Sequence, residues 1–304
     1  MIKVFANTLG EFNKSKVELK YELIRYPDGT KKIDFDAESC VVLQLCQSHN
    51  HTILIKWVGY SGDDEMSTLW FITRYIQDAW QLEVSLLMPY IPNARMDRTK
   101  NYGEVLTVKY FADFVNALNF KRVIVLDPHS NVSEALIKNC TVLQVLDVIE
   151  NAITRVKDEN QNSMLWIYFP DEGAAKRYGD IVKNKPYFLG HKVRDWKTGK
   201  ITGLEITREN TDITPEEIEG AGDVVLMIDD IISYGGTLAY SADELKKTWK
   251  FSKIYAYATH VENSVLDKEK GTLWKRIEDG VVDKIFTTDS LLTEKNYLIN
   301  KFAV

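Results

Sequence analysis

Short apolar runs that alternate with segments of helical periodicity constrain the fold of this chain more than any other feature of its sequence. The apolar runs predict buried strands at 40–46, 83–90, 122–130, 164–173, 223–230 and 253–260. Apolar residues recur at helical spacing at 67–83, 107–119, 142–158 and 237–249. This alternation predicts an α/β protein with mostly parallel sheets flanked by helices. Ligands are expected at the carboxyl ends of its strands.

The length and a weak internal similarity indicate two domains. The segments 122–130 and 223–233 each place an acid at the end of an apolar strand, and 304 residues are enough for two domains of ordinary size. We expect domains at 1–145 and 146–304, with the last part, from about residue 287, also able to pack back against the first domain. The polar segment 208–223 is interpreted as a loop or β-turn region.

Composition excludes several classes of function. With 38 basic and 44 acidic residues the formal charge is −6, so we expect no general nucleic-acid partner. The three cysteines, Cys40, Cys46 and Cys140, have no CxxC spacing and indicate neither a disulfide framework nor a zinc site. No segment has the roughly 18 apolar residues of a membrane span, so we expect no membrane partner and a cytoplasmic location.

Paired acids and a glycine turn follow the apolar strand at 223–230. The strand is expected to end at Ile228 or Asp229, which leaves Asp229 and Asp230 at the edge of the sheet. The turn consists of Ser233, Tyr234, Gly235, Gly236 and Thr237. Its amides and the start of the next helix would hold a phosphate, while the acids would accept hydrogen bonds from sugar hydroxyls. The sequence predicts a phosphorylated-sugar site, and a purely structural strand-to-helix turn is the alternative.

These residues resemble a known loop. The stretch IDDIISYGGT is similar to the ribose-phosphate loop of type I phosphoribosyltransferases and of ribose-phosphate pyrophosphokinases. Further segments resemble the pyrophosphokinases in the same order along the chain, namely IRYPDGT at 24–30, MPYIPNARMDRTK at 88–100, VIVLDPHS at 123–130, FPDEGAAKRYGD at 169–180 and HKVRD at 191–195. The resemblance implies two phosphoribosyltransferase-like domains, an ATP-binding one followed by a ribose-phosphate-binding one.

The resemblance also implies an activity. Members of the family transfer the β,γ-diphosphate of ATP to the C1 hydroxyl of ribose 5-phosphate, with Mg²⁺ as cofactor. Lys192 and Arg194 would be catalytic, on a mobile loop where they neutralise the charge that is shared during transfer. A solvated basic turn is their structural alternative. Asp171 would orient the ribose or metal-bound water, and His129 and Asp171 are the candidate Mg²⁺ contacts.

The ATP site implied by the resemblance is completed by a second subunit. The candidate ATP-binding residues are Tyr26, Asp28, Arg95, Asp97, Arg98 and His129. In the family the Tyr26 loop reaches the adenine of a neighbouring subunit, so the chain is expected to form a homo-oligomer, a dimer or larger. The structural alternatives are a β-turn at 26–29 and a surface ion pair of an arginine with Asp97 or Glu104.

The sequence departs from the family at several positions. Met96 and Thr30 stand where the family has glutamine and glutamate, and the chain ends before the family's final helix. Ser233 and Tyr234 stand where the family has aspartate and threonine. Because Tyr234 could stack on an adenosine, ADP-ribose is the second candidate acceptor, as in related pyrophosphokinases of viral pathways that rebuild NAD⁺. A virus-borne member would act in the host cytoplasm.

Two other functions remain open. A phosphoribosyltransferase would also use the ribose-phosphate loop, but it would not need the ATP-like segment, the strand end at 127–130 or Lys192 and Arg194. An inactive relative that regulates a true synthetase is the non-enzymatic alternative. The retained Asp229 and Asp230 favour an active enzyme.

Overall fold

A computed structural model describes residues 1–7, 16–183, 185–194 and 201–303; the side chains of 192–194 and 201–202 lie outside the described part. The chain divides into two compact units, Met1–Leu143 and Gln144–Val304. Each unit contains a sheet and a hydrophobic core of its own. Over the residues described, none of the helices combines the length and the apolar character needed to cross a membrane.

The first unit is built around a mixed sheet. Its elements in chain order are β1 (Ile2–Asn7), β2 (Lys16–Leu19), β3 (Tyr21–Arg25), β4 (Lys31–Phe35), α1 (Ala37–His49), β5 (Thr52–Trp57), α2 (Asp64–Trp80), β6 (Val84–Leu87), α3 (Thr107–Ala117), β7 (Val123–Leu126), α4 (Asn131–Leu136) and β8 (Cys140–Leu143). The sheet order is β2-β1-β5-β6-β7-β8, and β3 and β4 form a separate hairpin. The strands from β5 to β8 are parallel, whereas β1 is antiparallel to both of its neighbours.

The second unit has a larger sheet that is parallel except at one edge. Its elements are α5 (Leu146–Glu159), β9 (Leu165–Phe169), α6 (Glu172–Val182), β10 (Tyr187–Arg194), β11 (Ile201–Glu209), α7 (Pro215–Ala221), β12 (Val224–Ile232), α8 (Gly236–Lys247), β13 (Lys253–Val261), a 3-10 helix (Asn263–Leu266), α9 (Thr272–Glu278), β14 (Lys284–Thr288) and β15 (Ile299–Phe302). The order is β11-β10-β9-β12-β13-β14-β15, and only the β10–β11 pair is antiparallel.

Central strands of the second sheet are buried on both faces. The first five residues of β12 and all but the first residue of β13 are buried, as their continuous apolar sequences predict for strands covered by helices on both sides. The predicted α/β class with mostly parallel sheets flanked by helices is confirmed. The last strand, β15, pairs with β14, so the end of the chain belongs to the sheet of the second unit rather than to the first unit.

The apolar run at 40–46 was predicted to be a strand and is helical in the structure. It lies within α1, where Leu43 and Cys46 are buried while Val41 and Leu45 are exposed. The side chain of Asp36 caps the helix by accepting the amide of Ser39 at 2.8 Å. The strand prediction was wrong because a short apolar run does not distinguish a strand from a half-buried helix.

The segment 208–223 was interpreted as a loop and contains a short helix instead. Thr214 and Glu217 form a capping box, with the Glu217 amide 3.3 Å from the Thr214 hydroxyl and the Thr214 amide 2.8 Å from the Glu217 carboxylate. Pro215 occupies the first turn, and Gly222 ends the helix in the left-handed region. The sequence TPEE carries this signal, although its polarity suggested a loop.

Candidate functional site

Two neighbouring acids lie on β12, near the carboxyl ends of the central strands of the second sheet. The strand continues through Asp229 and Asp230 to Ile232, beyond its expected end. It pairs with β9 as far as Met227, so both acids extend past that neighbour. Pairing with β13 continues to Ile232, which explains the additional length. The acids therefore lie at the edge where parallel sheets bind ligands.

The two carboxyl groups have different surroundings. Asp230 is 6% exposed, and its Oδ2 lies 3.0 Å from Nη1 of Arg177. Asp229 Oδ1 accepts the backbone N–H of Asp230 at 2.9 Å. Burial raises the pKa of Asp229 well above its usual range, and the charges of Asp230 and Asp171 raise it further. The cation of Arg177 thus lies against Asp230, while burial disfavours the ionised form of Asp229, and the oxygens of both groups can take part in hydrogen bonds with sugar hydroxyls.

Asp171 caps helix α6 at the carboxyl end of β9. Its Oδ1 accepts the amide of Ala174 at 3.1 Å and so caps the first turn of the helix. The strand it follows, β9, pairs with β12, and the charge of Asp171 contributes to the raised pKa of Asp229. Asp171 is therefore positioned by its cap beside the acid pair.

The glycine turn, residues 233–237, connects β12 to α8. Gly235 has φ +80°, in the left-handed region that favours glycine. A methyl group at this position would also overlap Leu273 of α9 and lie 3.3 Å from its Cγ. Helix α8 begins at Gly236, and no side chain caps its first turn. Its first amides are therefore directed at the space beyond the turn, an arrangement that binds phosphate.

Contacts from α9 and the preceding loop hold the outer side of the glycine turn. The carbonyl of Tyr234 accepts the amide of Leu273 at 3.2 Å and the hydroxyl of Thr272 at 2.9 Å. The ring of Tyr234 is 40% exposed, and Nζ of Lys270 lies 6.0 Å from its centroid. The hydroxyl of Ser233 lies 3.2 Å from that of Ser264. The turn thus presents an aromatic face and a cation beside the phosphate-binding amides.

Lys192 and Arg194 lie in strand β10, at the place where the family resemblance implies a mobile loop. Their backbone pairs with β11 instead, Lys192 opposite Leu204 and Arg194 opposite Ile201, with a register shift between Val193 and Arg194. The expected loop conformation was wrong for these residues because the edge strand β11 continues the pairing. Their side chains lie outside the described part, so their catalytic role stays a prediction.

A buried tyrosine joins β10 to the helix of the glycine turn. Tyr168 of β9 is fully buried, and its hydroxyl lies 2.8 Å from that of Ser241 on α8. Ser241 donates to the carbonyl of Thr237 at 3.0 Å. A methyl group at Gly190 of β10 would overlap the Tyr168 hydroxyl and lie 3.0 Å from the carbonyl of Pro170. The strand that carries Lys192 therefore packs directly on a group bonded to α8.

Four of the six predicted ATP residues, Arg95, Asp97, Arg98 and His129, follow strands β6 and β7 of the first unit. After β7, Asp127 is 6% exposed and has φ +43°, and half-buried His129 lies two residues before α4. After β6, Arg95 is exposed, and Nε of Arg98 lies 3.8 Å from Oδ1 of Asp97. This weak pair is the structural alternative foreseen for Arg98.

Tyr26 and Asp28 lie in the tip of the β3–β4 hairpin. Asp28 Oδ1 accepts the hydroxyl of Thr30 at 2.7 Å and its amide at 3.0 Å, and these bonds lower the pKa of Asp28. Gly29 has φ +85° in this turn. The β-turn alternative is therefore present, while the ring of Tyr26 is 48% exposed and accessible to a partner.

The predicted metal contacts belong to different units, His129 to the first and Asp171 to the second. Within the described ranges, no group of three or more histidine, cysteine or acidic side chains forms a cage for a metal ion. Mg²⁺ commonly takes one or two carboxylates and completes its shell with water and substrate phosphates. The neighbouring carboxyl groups of Asp171 and Asp229 fit this kind of site.

Sequence reasoning missed Arg177, Tyr168 and Lys270. Each is remote along the chain from the group it approaches, namely Asp230, Ser241 and Tyr234 respectively. The only signal in the sequence was their proximity to segments already chosen.

Comparison with known proteins agrees with this arrangement. No family model matches the chain. Ribose-phosphate pyrophosphokinases are similar to it: that of Saccharolobus solfataricus is 25% identical over 76% of this chain and 75% of its own, and that of Bradyrhizobium diazoefficiens 26% over 84% and 75%. The enzyme of Campylobacter jejuni is 24% identical over 90% of this chain and 82% of its own.

A solved structure has the same fold. Phosphoribosylpyrophosphate synthetase from Mycobacterium smegmatis superposes with a TM-score of 0.69 at 13% identity, over 94% of this chain and 86% of that one. The sequence relatives cover most of both chains and agree on one enzyme name, and the fold is shared. Over most of its length the chain is therefore similar in sequence to ribose-phosphate pyrophosphokinases, which are diphosphotransferases, and it shares the fold of a phosphoribosylpyrophosphate synthetase.

Proposed function

We propose that the protein transfers the β,γ-diphosphate of ATP to the C1 hydroxyl of ribose 5-phosphate, releasing AMP and phosphoribosyl pyrophosphate. The observation that carries the proposal is the glycine turn before α8, which adjoins the acid pair on β12. The acids suit sugar hydroxyls, and the uncapped amides suit the 5-phosphate.

The second unit binds the acceptor sugar in this proposal. Asp229 and Asp230 hold the ribose hydroxyls, and residues 235–237 hold the phosphate. During the transfer the C1 oxygen forms a bond to the β-phosphorus, and the bond from that phosphorus to the α,β-bridging oxygen breaks. The C1 hydroxyl loses its proton and AMP leaves. Lys192 and Arg194 neutralise the charge on the transferred group.

The first unit binds ATP in the proposal. Arg95, Arg98 and His129 contact the triphosphate, with Asp97 positioning Arg98. Tyr26 and Asp28 meet the adenine of a neighbouring subunit, which requires a homo-oligomer. The exposure of Tyr26 at the hairpin tip supports this role.

Mg²⁺ is the proposed cofactor, and when bound it offsets the negative charge of the diphosphate. Asp171 is the residue of the second unit proposed to contact it, beside Asp229. The capping bond to Ala174 fixes the direction of the Asp171 carboxylate.

ADP-ribose is a second candidate acceptor, supported by the outer side of the glycine turn. Tyr234 exposes its ring there, and Lys270 lies 6.0 Å from the ring centroid. The Asp267 carboxylate fixes Lys270 by accepting its amide at 2.8 Å. A second phosphate would meet this cation, and an adenine could stack on the ring. The C1 hydroxyl of ADP-ribose is free for the same transfer.

AMP release tests the proposal. Purified protein with ATP and Mg²⁺ is given ribose 5-phosphate or ADP-ribose, and nucleotides are separated by chromatography. We expect AMP with at least one sugar and its loss in Asp230→Asn. Production of pyrophosphate from a base and phosphoribosyl pyrophosphate would support a phosphoribosyltransferase instead. No AMP with either sugar would favour an inactive regulator and contradict the proposal.

A further inference from the structure

Arg177 is the one cation with a described ion pair to the acids on β12. It lies on α6, and its Nη1 is 3.0 Å from Oδ2 of Asp230. The side chain of Arg177 is 28% exposed and that of Asp230 is 9% exposed. A charged pair this shielded from water interacts more strongly than one on the surface.

Two further acids lie beside the pair in the part of the chain that the structure describes. The amide of Asp230 bonds to Asp229, and Asp171 is near enough to raise the pKa of Asp229. Adjacent negative charges repel one another and would also repel a sugar phosphate. The guanidinium of Arg177 offsets part of this negative charge at 3.0 Å from Asp230.

Arg177 itself is held on a rigid support. Helix α6 is fixed at its start by the Asp171 cap, and Tyr178, the next residue after Arg177, is 1% exposed. The guanidinium carbon lies 5.9 Å from the ring centroid of Tyr178. A buried anchor beside the arginine limits the positions from which the guanidinium can meet Asp230.

We propose that Arg177 is a positioning residue for the acceptor sugar, which orients the Asp230 carboxylate toward the ribose hydroxyls. The inference rests on the proposed function only in taking a phosphorylated ribose as the ligand. Arginine suits this task because its planar, permanently charged group fixes the plane of a carboxylate, which a lysine ammonium does less well.

Direct binding of the sugar tests the role. Ribose 5-phosphate and ADP-ribose are titrated calorimetrically into the full chain as wild type, Arg177→Gln, Arg177→Lys and Lys176→Gln. We expect Arg177→Gln to weaken binding about 10-fold to 100-fold, as for loss of a hydrogen bond to a charged group, and Arg177→Lys to weaken it less. Exposed Lys176, the preceding residue, is the matched control, and Lys176→Gln should bind like wild type.

A double-mutant cycle separates positioning from a general structural effect. If Arg177 acts through Asp230, adding Arg177→Gln to Asp230→Asn should weaken binding less than twofold further. An equally large loss in that background would overturn the inference, as would wild-type-like binding by folded Arg177→Gln. The Michaelis constant for the sugar should rise while that for ATP stays within about twofold.

The controls distinguish failure of the inference from failure of the proposed function. Wild-type protein that binds a sugar, with unchanged binding by Arg177→Gln, contradicts the inference alone. Wild-type protein that binds neither sugar contradicts the proposed function and the inference together. If Arg177→Gln fails to fold by circular dichroism, Arg177→Lys carries the test. The inference is then overturned if Arg177→Lys binds both sugars with wild-type affinity and also leaves the affinity of Asp230→Asn unchanged.

Discussion

Replacing Gly235 with alanine should disrupt the glycine turn that we assign to phosphate binding. Two independent costs follow from the structure. Gly235 has φ +80°, where an L-residue is strained, and its added methyl group would overlap Leu273. Leu273 is fully buried in the core of the second unit and cannot easily move.

The expected magnitude is the sum of these costs. A left-handed conformation costs a non-glycine residue roughly 1–2 kcal/mol. Overpacking a filled site costs about 1–3 kcal/mol more. The free energy needed to open α8 locally should therefore fall by about 2–5 kcal/mol. This decrease corresponds to amide exchange roughly 30-fold faster or more.

Hydrogen exchange followed by mass spectrometry measures this locally in the full chain. Gly222→Ala is the matched control, because Gly222 also has positive φ, +66°, but no atom lies within 4 Å of an added methyl group. Gly222→Ala should show only the cost of the left-handed conformation, as faster amide exchange at the end of α7. The difference between the two variants isolates the contact with Leu273.

Gly235→Ala should also weaken binding of ribose 5-phosphate, because the turn has to move away from α9. Wild-type exchange rates across α8 in Gly235→Ala would refute the reasoning about the turn. Faster exchange with unchanged sugar binding would refute the assignment of the turn to phosphate.

Other substitutions test the remaining parts of the site. Burial raises the pKa of Asp229, so this group binds its proton more tightly in the folded state and costs stability as pH rises above the ordinary aspartate pKa of about 3.9. Asp229→Asn should therefore raise the melting temperature relative to wild type more at pH 8 than at pH 4.5 while abolishing sugar binding; an equal change at both pH values would contradict this. Gly190→Ala should displace β10 from the Tyr168 hydroxyl and lower kcat about 5-fold or more, if the packing cost of about 1–3 kcal/mol is expressed in the transition state; a wild-type kcat would show that this packing does not position the strand. Lys270→Ala should weaken ADP-ribose binding several-fold and leave ribose 5-phosphate binding unchanged, which calorimetry with both sugars would show; equal losses would refute a role at a second phosphate.

The central strands β6, β7, β9, β12 and β13 were predictable because buried parallel strands have a strong sequence pattern, whereas the remaining strands were not predicted. The continuous apolar run at the start of β12 and the glycines after it fixed a strand, a turn and a helix in the right order. The strand predicted at 40–46 was wrong, because only the Asp36 cap and the buried positions of Leu43 and Cys46 indicate a helix. Helix α7 was not predicted, because its polar residues suggested a loop despite the capping box at its start.

The site was predictable only where its functional residues are contiguous in the sequence. Asp229, Asp230 and the glycine turn are contiguous, so their arrangement follows from local structure. The partner of Asp230 could not be predicted in this way, because Arg177 lies on a different element, helix α6, and is distant in the sequence. Such contacts depend on tertiary packing, which no spacing rule in the sequence encodes.

The central claim is that a diphosphate group moves intact from ATP to a ribose C1 hydroxyl. Phosphorus NMR of a reaction containing ATP, Mg²⁺ and the acceptor sugar tests it most directly, with Lys192→Ala as the inactive control. The account predicts equal amounts of AMP and of a new sugar diphosphate, with no inorganic phosphate, and neither product from Lys192→Ala. Formation of ADP with a sugar that has gained a single phosphate at C1, or no change in the ATP signals with either ribose 5-phosphate or ADP-ribose, would contradict it.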